Sequence, residues 1–423
     1  MKQFALSRDR IAQWALILLV YPVIWLDTAY GILSYLGLGA LRVSLLYRSL
    51  LLLLGLILVY TRGGVLSWLI KVMILSWSTI LLVSIYPTAD INFISELTLL
   101  TRWVYPFTVV LITVSALVYF DNHEQLLIRG LAHYGWVFGL FMVFSFVTGV
   151  GIPSYQDGVF GIKSFYIGGN DIGLAALISL CAMFVLLHQH FSLLNLGKII
   201  LCLVGLLLLG TKAGWAGALV LTAIFILLFR RARWVLLPVV IVATSLGINW
   251  VQTNQESLGY QVAQIQAVIA GANPRETLIT AAEGQLEKYP NKAEWTGGGH
   301  SFFTGSGREY YINHNNTTGT ETFKAIEQEW YDLRGGYGVP FASFVFACHL
   351  LFFLLTATLW WYRPNVEHFA FVIASGVFIG HGILAGHAFV SGQPGGLIAV
   401  IYAIVIYRLE KGAISVKRRS QGN

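Results

Sequence analysis

Long apolar runs follow one another along this chain with short connections between them, and only one polar segment, residues 251–335, is long. A helix needs about 20 apolar residues to cross a lipid bilayer, and the runs are of that order. With 57% hydrophobic and only 11% charged residues, and a mean hydropathy of +0.70, a water-soluble core could not bury the apolar surface of 423 residues. The sequence therefore predicts an all-α integral membrane protein in contact with the lipid bilayer.

We predict about twelve transmembrane helices in one membrane domain that covers residues 1–423. Their expected centres are Leu18, Leu54, Leu75, Val110, Phe141, Ala176, Leu203, Ala223, Val240, Leu350, Ile373 and Ala399. The polar segment 251–335 then lies between the ninth and tenth of these helices, as one long loop that carries short helices.

The distribution of lysine and arginine predicts the orientation, because cations near the ends of membrane helices are retained on the cytoplasmic side. Two arginines, Arg42 and Arg48, are expected only to flank a helix. We predict that both termini are cytoplasmic and that the 251–335 loop is extracytoplasmic. The cations on the predicted cytoplasmic side are Lys2, Arg8, Arg10, Arg62, Arg129, Lys198, Arg230, Arg231, Arg233, Arg363, Arg408, Lys411, Lys417, Arg418 and Arg419.

The net charge of +7 is explained by these flanking cations, so it does not indicate a nucleic-acid partner. The cysteines, Cys181, Cys202 and Cys348, all fall inside predicted membrane helices. No group of His, Cys or Asp has the spacing of metal ligands. The sequence therefore predicts neither a metal nor a cofactor.

Two shorter polar interruptions, residues 151–171 and 210–214, are predicted to face the same side as the long loop. The three segments are expected to meet in one extracytoplasmic cavity. Within the long loop, Asn273, Pro274 and Glu276 form a helix-start signal, and Pro290 ends the helical spacing that follows. We expect a short amphipathic helix over residues 274–289.

Two cations on this side are candidates for binding an anion. Arg275 would lie in the first turn of the short helix, where its guanidinium and the free backbone N–H groups together suit a phosphate. Lys212 is flanked by Gly210 and Gly214, which let a ligand approach the backbone. The structural alternatives are a salt bridge for Arg275 and, for Lys212, a side chain that extends to the lipid headgroups.

The carboxylates Glu327, Glu329 and Asp332 directly precede the tenth predicted helix. Glu329 and Asp332 are three residues apart and would share one helical face. Crowded carboxylates beside an apolar phase suit a general base or acid, although they could equally do no more than solvate the end of the loop. Further candidates for substrate contacts are Asn170, Lys163, His300, Arg308 and Trp330.

Four sequence blocks, in this order, resemble the O-antigen polymerase and ligase superfamily of multi-span glycosyltransferases, the Wzy- and WaaL-like proteins. They are residues 161–173, residues 209–214, Arg275 with the glycines 297–299, and the acidic element 327–332 with Gly338. The match covers residues 160–340. Ligases of this family usually have a histidine eleven residues before the glycine that is Gly338 here, and this chain has Glu327 instead. That difference favours a polymerase.

The resemblance implies a GT-C-like helical protein of the bacterial plasma (inner) membrane. It implies transfer of a polyprenyl-diphosphate-linked oligosaccharide onto another lipid-linked unit, with inversion at the anomeric carbon and without a metal. Arg275 and Lys212 would bind the donor diphosphate. The proton of the acceptor hydroxyl would go to Glu327 as first choice, Glu329 as second or Asp332 as third. A flippase and a chain-length regulator are further candidate partners.

Two other functions remain open. A ligase would transfer finished glycan from the same lipid carrier to lipid or protein with nearly identical chemistry. A transporter or flippase would use a polytopic body without breaking a bond, and would be expected to show inverted repeats and charged residues at mid-membrane. Only Asp27 and Asp171 come close to such a position in the predicted topology.

Overall fold

The computed structural model describes residues 8–60, 93–118, 123–155, 160–228, 276–299 and 328–421, together with isolated positions within 68–78 and 234–270. Nearly all of them are helical. A 3₁₀ helix spans Gly39–Leu41, a π-helical turn spans Lys292–Thr296, and strands β1 (Ile152–Pro153) and β2 (Ile162–Ser164) pair antiparallel. The α-helices are α1 (Arg8–Val20), α2 (Val23–Tyr35), α3 (Val43–Tyr60), α4 (Phe93–Val118), α5 (Glu124–Thr148), α6 (Gly169–Gln189), α7 (Leu193–Leu209), α8 (Lys212–Leu228), α9 (Glu276–Lys288), α10 (Glu329–Tyr362), α11 (Val366–Leu384) and α12 (Gly392–Gln421).

Five of the described helices are long and apolar enough to cross a membrane, namely α5, α6, α10, α11 and the Gly392–Lys411 part of α12. A sixth span results if α1 and α2, which are bent by 43° relative to each other, act as one. The predicted all-α membrane class is therefore confirmed, but the expected number of about twelve spans is not. The spans predicted near Leu75 and Val240 lie largely outside the described residues.

Helix α6 is the centre of the bundle and packs against α5, α7, α8, α11 and α12. The apolar 18-residue stretch of α6 is 83% buried, which is the largest share among the five candidate spans. Small residues let the surrounding helices approach one another at backbone distance. A Cβ added at Gly139 of α5, for example, would lie 2.3 Å from the carbonyl oxygen of Leu201 on α7.

Arg408 joins several helix ends at one end of the bundle. Its guanidinium donates from Nε to Glu124 and from a terminal nitrogen to Glu367, both at 2.5 Å. The second carboxylate oxygen of Glu367 accepts from the side-chain amide of Gln189 at 3.0 Å. The start of α5, the end of α6, the start of α11 and the later part of α12 therefore lie together.

The antiparallel course of these helices places other segments at the opposite end, which we call the loop end. It holds the α5–α6 connection with its two strands, the α7–α8 connection, the α11–α12 connection and the start of α10. The predicted outward segments 151–171 and 210–214 are thus at one end of the molecule, as the sequence indicated.

We expect Arg408→Ala to lower the free energy of unfolding by about 3 kcal/mol, because it leaves two largely buried carboxylates without their cation. The side chains of Arg408, Glu124 and Glu367 are only 15–17% exposed, so water would compensate little. Unfolding of the detergent-solubilised protein measures the loss. Arg363→Ala, which removes an exposed arginine near the same end, is the matched control and should change stability by less than about 0.5 kcal/mol. Equal stability of the two variants would contradict the role of Arg408.

Candidate functional site

Residues 297–299, in the middle of the long loop, cross the start of α10 through glycine residues. The backbone N–H groups of Gly298 and Gly299 donate to the carbonyls of Gly335 and Gly336 at 2.8 and 2.9 Å. A Cβ at Gly297 would lie 2.2 Å from the backbone of Gly336, and both Gly297 and Gly299 have positive φ, at 68° and 74°. Only glycine permits this backbone conformation and this close approach. We call residues 292–299 and 335–338 the glycine crossing.

Gly338 completes the crossing and interrupts α10. Its φ of 81° and ψ of 168° are not helical, so α10 consists of a short first part and a longer second part. A Cβ at Gly338 would lie 2.6 Å from the carbonyl group of Trp295. The first part of α10 is therefore held against the loop, at an angle to the membrane helix that follows.

A hydrogen bond also joins the short loop helix α9 to this region. The hydroxyl of Tyr331 donates to Glu283 of α9 at 2.9 Å. Helix α9 lies within the predicted range 274–289, and Ala282 and Leu286 are its buried face. The amphipathic helix expected from the sequence is thus confirmed over Glu276–Lys288.

Glu329 is the most deeply placed carboxylate of the predicted acidic cluster, with only 1% of its surface exposed. Its Oε1 accepts the backbone N–H of Phe389 at 2.7 Å, while Oε2 has no hydrogen-bond partner in the described part of the chain. Asp332 is half-buried on the same helical face, as predicted. Asp332, His387 and Asp171 all interact electrostatically with the Glu329 carboxylate.

The α11–α12 connection presents the N–H group that Glu329 accepts. His387 in this turn has a φ of 63°, a left-handed conformation that is uncommon for a residue other than glycine. The ring of Phe389 stacks on His349 of α10, with centroids 4.2 Å apart and planes at 20°. Backbone strain of this kind concentrates at functional sites. The turn thus helps to hold Glu329 in place through the N–H of Phe389.

The 151–171 segment meets the α7–α8 connection through a second close approach of glycines. A Cβ at Gly210 would lie 2.9 Å from Cα of Gly161, and Ser154 donates to the carbonyl of Leu209 at 2.7 Å. Thr211 then caps α8, because its hydroxyl accepts the N–H of Gly214 at 3.3 Å. Lys212 is the first residue of α8 and is half-buried.

Two helix N-termini converge at this point. Helix α6 begins at Gly169, and a Cβ there would lie 3.5 Å from Cδ of Lys163 and 3.7 Å from Cγ2 of Thr211. Thr211 in turn caps α8 beside Lys212. Helix N-termini carry partial positive charge and free N–H groups, so two of them next to two lysines favour an anion. Asp171, in the same first turn of α6, connects this area electrostatically to Glu329.

The structure thus brings together several residues that the sequence singled out. Asn170 lies in the first turn of α6, and Lys163 lies on β2 with its ammonium 3.5 Å from the carbonyl of Ile167. Trp330 is partly exposed and meets Phe346 edge-on at 5.8 Å. The predicted site residues that lie outside the described residues are Arg275, His300, Arg308 and Glu327. Within the described ranges, no group of three or more His, Cys, Asp or Glu side chains could hold a metal ion.

One buried charged pair escaped the sequence-based interpretation. Arg48 was expected to flank a helix, but its guanidinium donates to both carboxylate oxygens of Asp27 at 2.8 Å inside the bundle. Ser44 bonds to both partners, and the ring of Tyr105 lies 6.0 Å from the guanidinium carbon. The sequence contained a signal for this pair, because a carboxylate and an arginine in adjacent apolar helices are expected to form an ion pair. This pair corrects the expectation for Arg48 and accounts for the buried carboxylate of Asp27.

Comparison with known proteins identified no relative of this chain. No protein-family model matches the chain, and neither a curated protein nor a solved structure matches it.

Proposed function

We propose that the protein is a membrane glycosyltransferase that polymerises polyprenyl-diphosphate-linked oligosaccharide units into a surface polysaccharide. One observation carries the proposal: the first turn of α6 lies between a cationic area and a buried carboxylate. A Cβ at Gly169 would lie 3.5 Å from Cδ of Lys163 and 3.7 Å from Cγ2 of Thr211, and Asp171 in the same turn acts electrostatically on Glu329. Transfer from a lipid diphosphate needs both kinds of group, one for the leaving phosphate and one for a proton.

The reaction assigns a role to each group. The bond between the anomeric carbon of the donor and the diphosphate oxygen breaks, and its electron pair stays on the diphosphate. Lys212, Lys163 and the N-termini of α6 and α8 stabilise that negative charge, with Arg275 as a further cation. The acceptor hydroxyl attacks the anomeric carbon from the opposite face, and its proton passes to the carboxylate of Glu329.

Glu329 replaces Glu327 as our first choice for this base. Its burial, its fixed Oε1 and the absence of a described partner for Oε2 support the choice, since a base must be held in place and must have an oxygen that is not already engaged by another donor. Asp332, half-buried on the same face, is the next candidate. Glu327 lies outside the described residues.

The proposal includes an orientation, with the loop end outside the bacterial plasma membrane and the Arg408 end inside. The lysine and arginine distribution supports it. Cysteines substituted for Asn316 and Ser420 test it with an impermeant thiol reagent on intact cells. Labelling at position 316 and protection at position 420 are expected, and the reverse pattern would overturn the orientation.

We expect Lys212→Ala to slow elongation of lipid-linked repeat units about a hundredfold, because removing one donor to a developing negative charge has that order of effect. Arg275→Ala should act in the same direction. Purified variants incubated with lipid-linked repeat units, with product length read on a gel, give the rates. Arg10→Ala, which removes an exposed cation from α1, is the control and should keep the wild-type rate. A normal ladder from the Lys212→Ala, Arg275→Ala double variant would refute the proposed diphosphate site.

A further inference from the structure

The exposed face of α5 between the α1–α2 bend and α7, which we call the groove, combines aromatic rings with two cations. Helix α5 forms its floor, the bend between α1 and α2 forms one wall and α7 forms the other. Both walls approach α5 at glycines. A Cβ at Gly130 would lie 2.8 Å from Val20, and one at Gly139 would lie 2.3 Å from the backbone of Leu201. The groove shares no residue with the candidate site.

The aromatic groups in the groove are fixed by specific contacts. The indole N–H of Trp25 donates to Nε2 of His133 at 3.0 Å. Since an indole can only donate, Nε2 must accept and the proton of the neutral imidazole is on Nδ1. The His133 ring also lies 5.4 Å from Tyr21 and 5.1 Å from Trp136, the latter edge-on. A rigid row of rings therefore crosses from α2 to α5.

Two cations lie beside these rings. The ammonium of Lys198, on α7, is 5.8 Å from the ring centre of Trp136 and also acts electrostatically on His133. Arg129 is exposed on α5 and acts electrostatically on Tyr21. In the described part of the chain neither Arg129 nor Lys198 forms an ion pair. Two cations on a membrane-facing surface favour an anionic group from the lipid.

The exposed stripe of α5 changes polarity along its length in the way that a phospholipid does. Arg129 is followed by His133 and Trp136 at spacings of four and three, and then by the exposed apolar side chains of Leu140 and Phe144. From Arg129 to Phe144 the helix rises about 22 Å. Half of a bilayer with its headgroups measures about 20–22 Å. The stripe thus matches one phospholipid from phosphate to chain end.

We propose that this groove binds one anionic phospholipid, with its phosphate at Arg129 and Lys198 and an acyl chain along Leu140 and Phe144. The ring row of Trp25, His133 and Trp136 lies at the depth of the glycerol and ester groups, where amphipathic aromatic side chains are favoured. This inference is independent of the proposed enzymatic function. It rests on the groove geometry and on the membrane location of the helices.

Native mass spectrometry of the full-length, delipidated protein tests the site, with dioleoyl phosphatidylglycerol as the probe and phosphatidylcholine as the neutral lipid. We expect tighter binding of phosphatidylglycerol to the wild type. Arg129→Gln and Lys198→Gln should each weaken it about fivefold, which is the contribution of one cation near an anionic headgroup. The double variant should lose about twentyfold or more, and Lys198→Arg should retain most of the affinity.

Arg363→Gln is the matched control, because it removes an exposed arginine near the Arg408 end that belongs to neither α5 nor α7. It should leave phosphatidylglycerol affinity unchanged. Unchanged affinity in the double variant, or an equal loss in the control, would overturn the site. Displacement of phosphatidylglycerol by an equimolar polyprenyl phosphate would overturn the choice of a phospholipid as its occupant. Circular dichroism verifies that each variant is folded. If the double variant is not folded, the phosphatidylglycerol affinities of the single variants and of Lys198→Arg still test the site.

Discussion

Glu329→Gln is expected to stop elongation, with a rate loss of about 10²–10⁴-fold, while the protein remains folded. A glutamine oxygen can still accept the N–H of Phe389, which Glu329 accepts at 2.7 Å, so the α11–α12 turn should keep its position. An amide cannot take up the proton of the acceptor hydroxyl. The purified variant should therefore bind lipid-linked repeat units and leave them as single units on a gel.

Two variants with the same chemical change make this result specific. Glu283→Gln alters an exposed carboxylate nearby, whose oxygen accepts from Tyr331 and would still do so as an amide. It should elongate at close to the wild-type rate. Glu327→Gln tests the residue favoured by the sequence. A normal ladder from Glu329→Gln together with a block in Glu327→Gln would return the role of base to Glu327.

Gly338→Ala is expected to separate residues 292–299 of the long loop from α10 and to remove elongation with it. The substitution forces a Cβ to within 2.6 Å of the Trp295 carbonyl and places alanine at a φ of 81° with a ψ of 168°. Backbone strain and overpacking each cost about 1–3 kcal/mol, so a loss of about 4 kcal/mol is expected. Thermal unfolding in detergent and protease cleavage within 292–299 report the change.

Gly336→Ala provides a control only two residues away. Its Cβ would meet nothing closer than the carbonyl oxygen of Gly299 at 3.8 Å, and its φ lies outside the positive range. Stability should change by less than about 1 kcal/mol, because alanine is favoured over glycine in helical conformation. If Gly338→Ala were as stable and as resistant to protease as Gly336→Ala, the glycine crossing would not hold the loop.

Local signals account for what the sequence predicted correctly. Helix α9 follows from a cap, a proline and helical spacing within one short segment, and it forms over Glu276–Lys288. The common face of Glu329 and Asp332 follows from a spacing of three in a helix. The contact between residues 151–171 and 210–214 follows from placing both connections at the same end of the bundle.

Distant partners account for what the sequence could not predict. Glu329 is buried because the N–H that it accepts comes from Phe389, sixty residues later. The sequence therefore ranked it second, after Glu327. Gly297 and Gly338 belong to the sequence blocks that carry the family resemblance, but the chain segment that each one meets is fixed only by the fold. Arg48 was assigned to a helix end because its partner, Asp27, lies on a different helix.

The most direct test of the proposed function uses wild-type protein reconstituted in liposomes with lipid-linked repeat units as both donor and acceptor. The account predicts a ladder of lipid-linked products that differ by one repeat unit, with release of polyprenyl diphosphate at each step. Movement of intact single units across the bilayer without any new glycosidic bond would contradict it and favour a transporter. Transfer only to a lipid or protein acceptor, with no ladder on the carrier lipid, would contradict the polymerase and favour a ligase.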